Sequence, residues 1–401
     1  MFEFSSRKLV DPDRLVLLVL IFLIAAPSWA MSATFESADA TPSDIDRAVN
    51  AICSKDMVLL GEDNHHAGAT TIAVKIELIE RLIQKCGFRG VVFESQFYDL
   101  LDFEHAVVTG SATKEQLSDA IGAVWSRYPE FKKFAGWLYE EARARRIYIA
   151  GMDTQVGGIG QNYSLQKLPT VLSSVLTGSR QMECEALIGR QNRWEYDDAY
   201  PYDAALRELH RCLRDIRREL DMGHAPPDLR AMADSYARYL DFANGDEHGL
   251  REKAMYENLI WTRARWPKGV RVIVWCASVH AVKTLDGVRE GIRPFGSYVH
   301  EVFGSKASAI GFSALAGSYG NVGGGGMPNT LSTAQEESLE AQAYKGASGD
   351  ELRFLDFSQL RAMGVIPARA LNYGKPMVVD WSELLDGMIV LRQETAAMAE
   401  P

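Results

Sequence analysis

Three short apolar runs, residues 57–60, 90–93 and 147–150, alternate with stretches of helical periodicity, and no other feature constrains the fold as tightly. They read Met-Val-Leu-Leu, Gly-Val-Val-Phe and Ile-Tyr-Ile-Ala. Runs this short and this apolar are the mark of strands covered on both faces. Between the first two, Ile72, Ile76, Ile79 and Ile83 recur at helical spacing over residues 70–85, and Gly87 closes the helix. Residues 131–146 predict a second helix ahead of the third run. Strand, helix, strand, helices, strand implies an α/β fold, a largely parallel and possibly mixed sheet with helices on its faces. Strand signal returns at 272–275 and 307–312, then late at 353–357 and 388–392, with a helix predicted at 338–344. Residues 160–268 differ: charge-rich helical periodicity, little strand signal and a break at Pro226-Pro227 predict a helical insertion or cap. The glycine-rich run 317–329 lacks GxGxxG or a following Lys-Ser/Thr, so it reads as an exposed linker rather than a phosphate cradle.

The residues directly behind each strand carry the chemistry. The first run leads into Gly61-Glu62-Asp63-Asn64-His65-His66, the second into Glu94, the third into Asp153, and the run at 272–275 into Ser278 and His280. In a parallel sheet these ends open into one crevice, where ligands bind. Singly, each has a bland explanation. Glu62, Asp63 or Asp153 can cap the helix that comes next, and His280 can be a core histidine with its partners satisfied. Four ionisable strand ends in register are better explained by one polar site.

Composition narrows the class. The first 30 residues carry Arg7, Lys8 and Arg14, then twelve apolar residues from Leu15 to Ala26, then Ser28-Trp29-Ala30. A bilayer span needs about 20 residues, so this pattern reads as a signal peptide over 1–30, with a periplasmic or secreted chain over 31–401. No stable membrane insertion is expected after cleavage. Bases and acids balance in the leader, so the net charge of −10 belongs to the remainder and argues against nucleic acid as a partner. A small-molecule substrate is expected instead. Five cysteines are too few for a disulfide scaffold and match no zinc spacing; each reads by default as a small buried hydrophobe, with Cys184–Cys212 the one plausible pair.

The order of these segments resembles the erythromycin esterase family. GEDNHH (61–66), Lys75, Gly87-Phe88 and VVFES (91–95) are similar to the family's Gly-Glu-x-x-His, basic residue, Gly-Phe and strand ending in Glu. GMDTQ (151–155), REKAMYENLIW (251–261) and WCASVHAVK (275–283) resemble later landmarks, as do PFGSYVHEVFG, ESLE (337–340) and Leu384-Leu385-Asp386. The resemblance covers roughly residues 55–392. It implies a three-layer α/β/α fold, a helical cap and a polar cleft, and hydrolysis of esters, the named activity being macrolide lactone cleavage and hence antibiotic resistance. It also implies site roles for Glu62, His65, Lys75, Glu94 and His280. Two departures stand out. Lys75 lies ten residues after His65 but nine after His66, which blurs which imidazole occupies the family position. Ala277 and Ser278 replace the first histidine and the asparagine of Trp-x-His-Asn-x-His.

Residue types suit that chemistry. His65 is the expected general base for water, held by Glu62 or Glu94, with Lys75 or His280 facing the developing oxyanion. His66, Asp153 and Ser278 are expected to support or bind substrate. No serine or cysteine sits in a GxSxG elbow, which favours direct attack by water, and no cofactor is required. Two alternatives use the same residues: a metal held by Glu62, His65, Glu94, Asp153 and His280, or a non-enzymatic haem or small-ligand binding protein of the same superfamily.

Overall fold

The computed structural model describes residues 43–156, 163–197, 202–223, 226–243, 248–346 and 351–399. The expected leader over 1–30 lies outside them, as does part of 160–268.

Ten strands are present among the described residues: β1 (Met57–Glu62), β2 (Gly90–Gln96), β3 (Tyr148–Asp153), β4 (Val272–Ala277), β5 (Ala307–Tyr319), β6 (Asn329–Leu331), β7 (Leu352–Asp356), β8 (Val365–Ala368), β9 (Met377–Asp380) and β10 (Gly387–Glu394). The main sheet runs β3-β2-β4-β1-β5-β10-β7, with β6 paired to β5. All pairs from β3 to β10 are parallel; β7 and β6 join antiparallel at one side, so the sheet is mixed but mostly parallel. Strands β8 and β9 form a separate hairpin.

The three layers arise from strand alternation. Val58, Leu60, Val91, Phe93, Ile273 and Trp275 face one side, under helices Ala69–Cys86 and Pro129–Arg143. Met57, Leu59, Val92, Val272 and Val274 face the other, against Met255 and Leu259 of helix His248–Arg265 and Phe295 and Val299 of helix Phe295–Phe303. With both faces covered, each central strand is apolar along its length, which is why the runs stand out in the sequence. Between β3 and β4 the described residues are helical, and helices Gly178–Arg193, Tyr202–Met222 and Pro227–Ala243 share a separate apolar core.

Several elements differ from expectation. Strands β1, β2 and β3 extend through Glu62, Gln96 and Asp153, so the acids sit inside strands whose apolar signal stops earlier. The run 317–329 is an exposed linker only in part: β5 continues to Tyr319, β6 starts at Asn329 and Gly320 and Gly324 are buried, while Val322 and residues 325–328 are exposed. Helices Asp44–Ile52, Phe97–Thr109 and Lys114–Ile121 and the β8–β9 hairpin are further elements; in the first, Ile45, Ala48, Val49 and Ile52 recur at helical spacing and are buried. Cys184–Cys212 is disulfide-bonded, and so is Cys53–Cys86, which corrects the reading of these cysteines as plain hydrophobes; Cys276 is free and buried.

Candidate functional site

Strand order makes neighbours of residues far apart in sequence. Along β3-β2-β4-β1 the carboxyl ends present Asp153, Glu94, Ala277 and Glu62, with Glu62 in register with Ala277. The chain then turns from β4 into the short helix Ser278–Ala281, which carries His280. Gly61 permits this approach, since a Cβ there would stand 2.7 Å from the Ser278 Cα.

Two carboxylates organise the polar groups. Glu62 is buried and accepts from four donors: Lys75 Nζ at 2.9 Å, His66 Nδ1 at 2.8 Å, and the indole N–H groups of Trp125 at 2.7 Å and Trp275 at 3.2 Å. Burial pushes its pKa up, but the Lys75 charge and the His66 hydrogen bond outweigh that and hold it below the usual range. Lys75 is 0 % exposed and lies 4.3 Å from the Trp275 ring centroid. Desolvation lowers its pKa despite Glu62.

Glu94, the second centre, accepts from Arg251 Nη2 at 3.0 Å, from His280 Nε2 at 3.0 Å and from the Ala277 backbone N–H at 2.8 Å. Arg251 forks onto Asp153 through Nε at 3.2 Å and Nη2 at 2.6 Å. On the far side of the ring, His280 Nδ1 meets Glu252 at 2.7 Å, and Glu252 accepts the Phe295 N–H at 2.8 Å. Burial opposes protonation of His280, but Glu252 and Glu94 override it and push the pKa up to about 10. Burial likewise opposes ionisation of Glu94, yet His280 and Arg251 hold its carboxyl well below the usual range. His280 is thus an imidazolium near neutrality and not a base, its Nδ1 facing Glu252 and its Nε2 lying 3.0 Å from Glu94 and 3.2 Å from Arg251 Nη1.

The two histidines of the 61–66 segment separate. His65 Nδ1 lies 2.6 Å from Asp63 Oδ1, and Asp63 also accepts the Tyr373 N–H at 2.7 Å. The Asp63 hydrogen bond raises the His65 pKa against partial burial, and the ring tilts on Tyr319 at 4.8 Å. His66 turns inward instead. Its backbone adopts φ +55°, a left-handed conformation that costs a non-glycine residue energy, and its ring meets Glu62 and stands edge-on to Trp125. The loop is pinned on its far side, where Ala67 O accepts from Gly320 and Ala397, and Gly68 bridges to Ala396.

These placements correct four pairings. Neither Glu62 nor Glu94 holds His65, because Asp63 does. Lys75 is sealed behind Glu62 and cannot face a substrate, so its part is to position. Ser278 is fully buried with an unpartnered hydroxyl, which removes it as an open nucleophile or substrate contact. The five-residue metal set does not fit. Glu62 is engaged by ammonium and indole, Glu94 and Asp153 by guanidinium, and His65 belongs to a different carboxylate. Among the described residues no group of three His, Cys, Asp or Glu is placed to hold a metal ion. Asp153 does join the site, through Arg251.

Arg251, Glu252 and Trp125 complete the arrangement, and sequence reasoning alone does not mark them as site residues. Arg251 and Glu252 open the REKAMYENLIW segment, the one available signal; Trp125 has none, because nothing local to it predicts an indole over β1.

A family model described as erythromycin esterase matches residues 83–393. No curated protein sequence matches at a significant level. Among solved structures, a Bacillus cereus protein is 15 % identical with a TM-score of 0.63, covering 90 % of this chain and 94 % of its own. A succinoglycan biosynthesis protein is 16 % identical, with the same TM-score and coverage. A mutant of the erythromycin esterase EreC in its open conformation is 14 % identical with a TM-score of 0.63, covering 88 % and 94 %. At these identities the structures support the fold. No helix among the described residues is long and apolar enough to cross a membrane.

Proposed function

Because the chain belongs to the erythromycin esterase family, we propose that it is a hydrolase that opens a carboxylic ester or lactone with activated water, His66 serving as the general base. One observation carries this reading: His66 Nδ1 lies 2.8 Å from a carboxylate that is itself fixed by an ammonium and two indoles. A carboxylate on Nδ1 sets the tautomer in which Nε2 is bare and takes a proton from water. The hydroxide so formed attacks the carbonyl carbon. Arg251, with protonated His280 behind it, supplies positive charge for the oxyanion. The His66 imidazolium then returns its proton to the leaving alkoxide.

His65 supports a second reading, since Asp63 holds it at 2.6 Å in the same manner. The test is a panel of aryl esters, alkyl lactones and a macrolide, assayed with wild type, His66→Ala and His65→Ala. A positioned base contributes about 10²–10⁴-fold, so His66→Ala should lose that much kcat on any substrate cleaved. Full activity in His66→Ala with loss in His65→Ala would transfer the role to His65. Full activity in both would remove the loop from the mechanism. We further propose action outside the cytoplasm, supported by the leader pattern and the Cys53–Cys86 and Cys184–Cys212 disulfides, and a capping role for the helices between β3 and β4.

A further inference from the structure

Apart from the Glu62 and Glu94 centres, Arg369 is a buried cation with no ion-pair partner among the described residues. It follows β8 directly and is only 7 % exposed. Its backbone N–H donates at 2.7 Å to Glu340, a carboxylate that the Ser313 hydroxyl also meets. Its Nη1 donates at 2.7 Å to the Ser332 carbonyl, while Nε and Nη2 have no partner among the described residues. That free edge is the one Arg251 uses to fork onto Asp153. It presents two parallel N–H groups whose spacing matches a carboxylate, and leaving buried donors unpaired is costly.

The loop that begins at Arg369 belongs to the wall of the candidate site. Four residues on, the Tyr373 N–H holds Asp63, the carboxylate of His65. At Gly374 an added Cβ would stand 3.2 Å from the Tyr319 hydroxyl. The Tyr319 ring in turn lies 4.8 Å from the His65 ring and 5.5 Å from that of Tyr373, centroid to centroid. The Arg369 charge is felt at the Tyr319 hydroxyl, where it opposes the rise in pKa that burial and Asp63 cause. Tyr319 is 8 % exposed, and its hydroxyl also has no partner among the described residues. Neither that hydroxyl nor the Arg369 edge is sealed from solvent as the Ser278 hydroxyl is. His65 adds a third open group, because Asp63 takes its Nδ1 and leaves Nε2. Its raised pKa keeps that nitrogen a donor further into the neutral range.

Unpaired donors of this kind call for an acceptor that carries negative charge. Two acids temper the field. Both Asp63 oxygens are taken, by His65 and Tyr373, and Glu340 keeps one oxygen enclosed without a partner. The surroundings therefore suit a single negative charge better than a polyanion. We propose that Arg369 and the Tyr319 hydroxyl form a carboxylate anchor, and that the ester or lactone cleaved at His66 carries a carboxylate seated there beside His65. The substrate assignment rests on the hydrolase reading, whereas the binding of a carboxylate does not.

The test has two arms. In the first, benzoate and benzamide are titrated into full-length protein and binding is followed by ligand-observed NMR. Benzoate should bind and benzamide should not. Losing the fork should weaken benzoate at least about tenfold in Arg369→Gln, and by less in Tyr319→Phe, which loses one neutral donor. Arg369→Lys keeps the charge without the fork and should recover only part of that affinity. Melting temperatures report the fold of each variant, and Tyr319→Phe carries the test if Arg369→Gln does not fold. In the second arm, kcat/KM is compared within two pairs, 4-acetoxybenzoate against its methyl ester and monophenyl adipate against phenyl hexanoate. Wild type should prefer the charged member of at least one pair, and Arg369→Gln should cut that preference about tenfold, through KM. Equal binding of benzamide, or benzoate binding indifferent to both Arg369 and Tyr319, would overturn the anchor. Arg369-dependent benzoate binding with no preference in either pair would overturn the substrate assignment. The same binding with no ester turned over would leave the anchor standing and sink the hydrolase.

Discussion

Glu62 and Glu94 stand at equivalent strand ends and are built in opposite ways. Glu62 is locked by a sealed lysine and two indoles, and only His66 links it to the outside. Glu94 sits in a chain of ions, Asp153–Arg251–Glu94–His280–Glu252, whose cations come from a helix between β3 and β4 and from the turn after β4. The difference is one of labour. A carboxylate meant to orient a base must not move or lose charge, and burial against hydrogen-bond donors secures that. A centre meant to meet developing negative charge needs hydrogen-bond donors held in fixed positions, and the three carboxylates flanking Arg251 and His280 hold them so.

Removing Lys75 should break the comparison most severely. Lys75→Met leaves Glu62 buried without its counter-ion, and breaking a buried pair from one side costs about 3–5 kcal/mol. Urea denaturation should show that loss, and the double variant Lys75→Met/Glu62→Gln should recover much of it because the stranded charge is gone. If the single variant is as stable as wild type, Glu62 is not locked as described.

Arg251→Lys probes the second centre. The charge remains, but a single ammonium cannot span Asp153 and Glu94 as the guanidinium does. With one well-placed donor worth about 10²-fold in rate, kcat should fall by about that factor while the melting temperature changes little. Unaltered kcat would make Arg251 purely structural.

These two residues also mark what the sequence disclosed. The parallel core was legible because strands covered on both faces are apolar throughout, and the acids were legible because they interrupt that pattern. Lys75 could be found but not interpreted. Its helix spacing does not say that residue 75 points under β1 rather than into the cleft. Arg251 reaches Glu94 across 157 positions, and Trp125 reaches Glu62 across 63, so only the folded layers bring them together. His65 and His66 were indistinguishable for a different reason: the left-handed turn at His66 that separates them is a backbone property with no signature in side-chain type.

The pH dependence sharpens the contrast. His280 rises from its ordinary 6.5 to about 10, so the stability it contributes is fully present below pH 6.5 and is lost as pH climbs towards 10. Glu94 is depressed, so its contribution is present above its ordinary 4.5 and is lost as pH falls through its lower native value. Lys75 works against His280: burial lowers its pKa, so stability gains as pH rises through that value. The difference between wild type and His280→Gln isolates the histidine. Wild type should lose its advantage between pH 6.5 and 10, with a slope of at most about 1.4 kcal/mol per pH unit. Parallel stability curves for the two proteins would mean that His280 is neutral in the native state.

The smallest expected effect is the most discriminating. His65 is paired as closely as His66, yet its carboxylate Asp63 is tied to the Tyr373 backbone and not to either centre, and its ring leans on Tyr319. Its raised pKa also leaves it charged further into the neutral range, where a base must be neutral. If labour is divided as the two carboxylates suggest, His65 holds the rim of the loop while His66 does the proton transfer. His65→Ala should then change kcat less than about tenfold and act mainly on KM, because a surface hydrogen bond is worth about 1 kcal/mol. A kcat loss in His65→Ala as deep as that in His66→Ala would place both imidazoles on one proton path and dissolve the distinction between the strand-end carboxylate and the loop carboxylate.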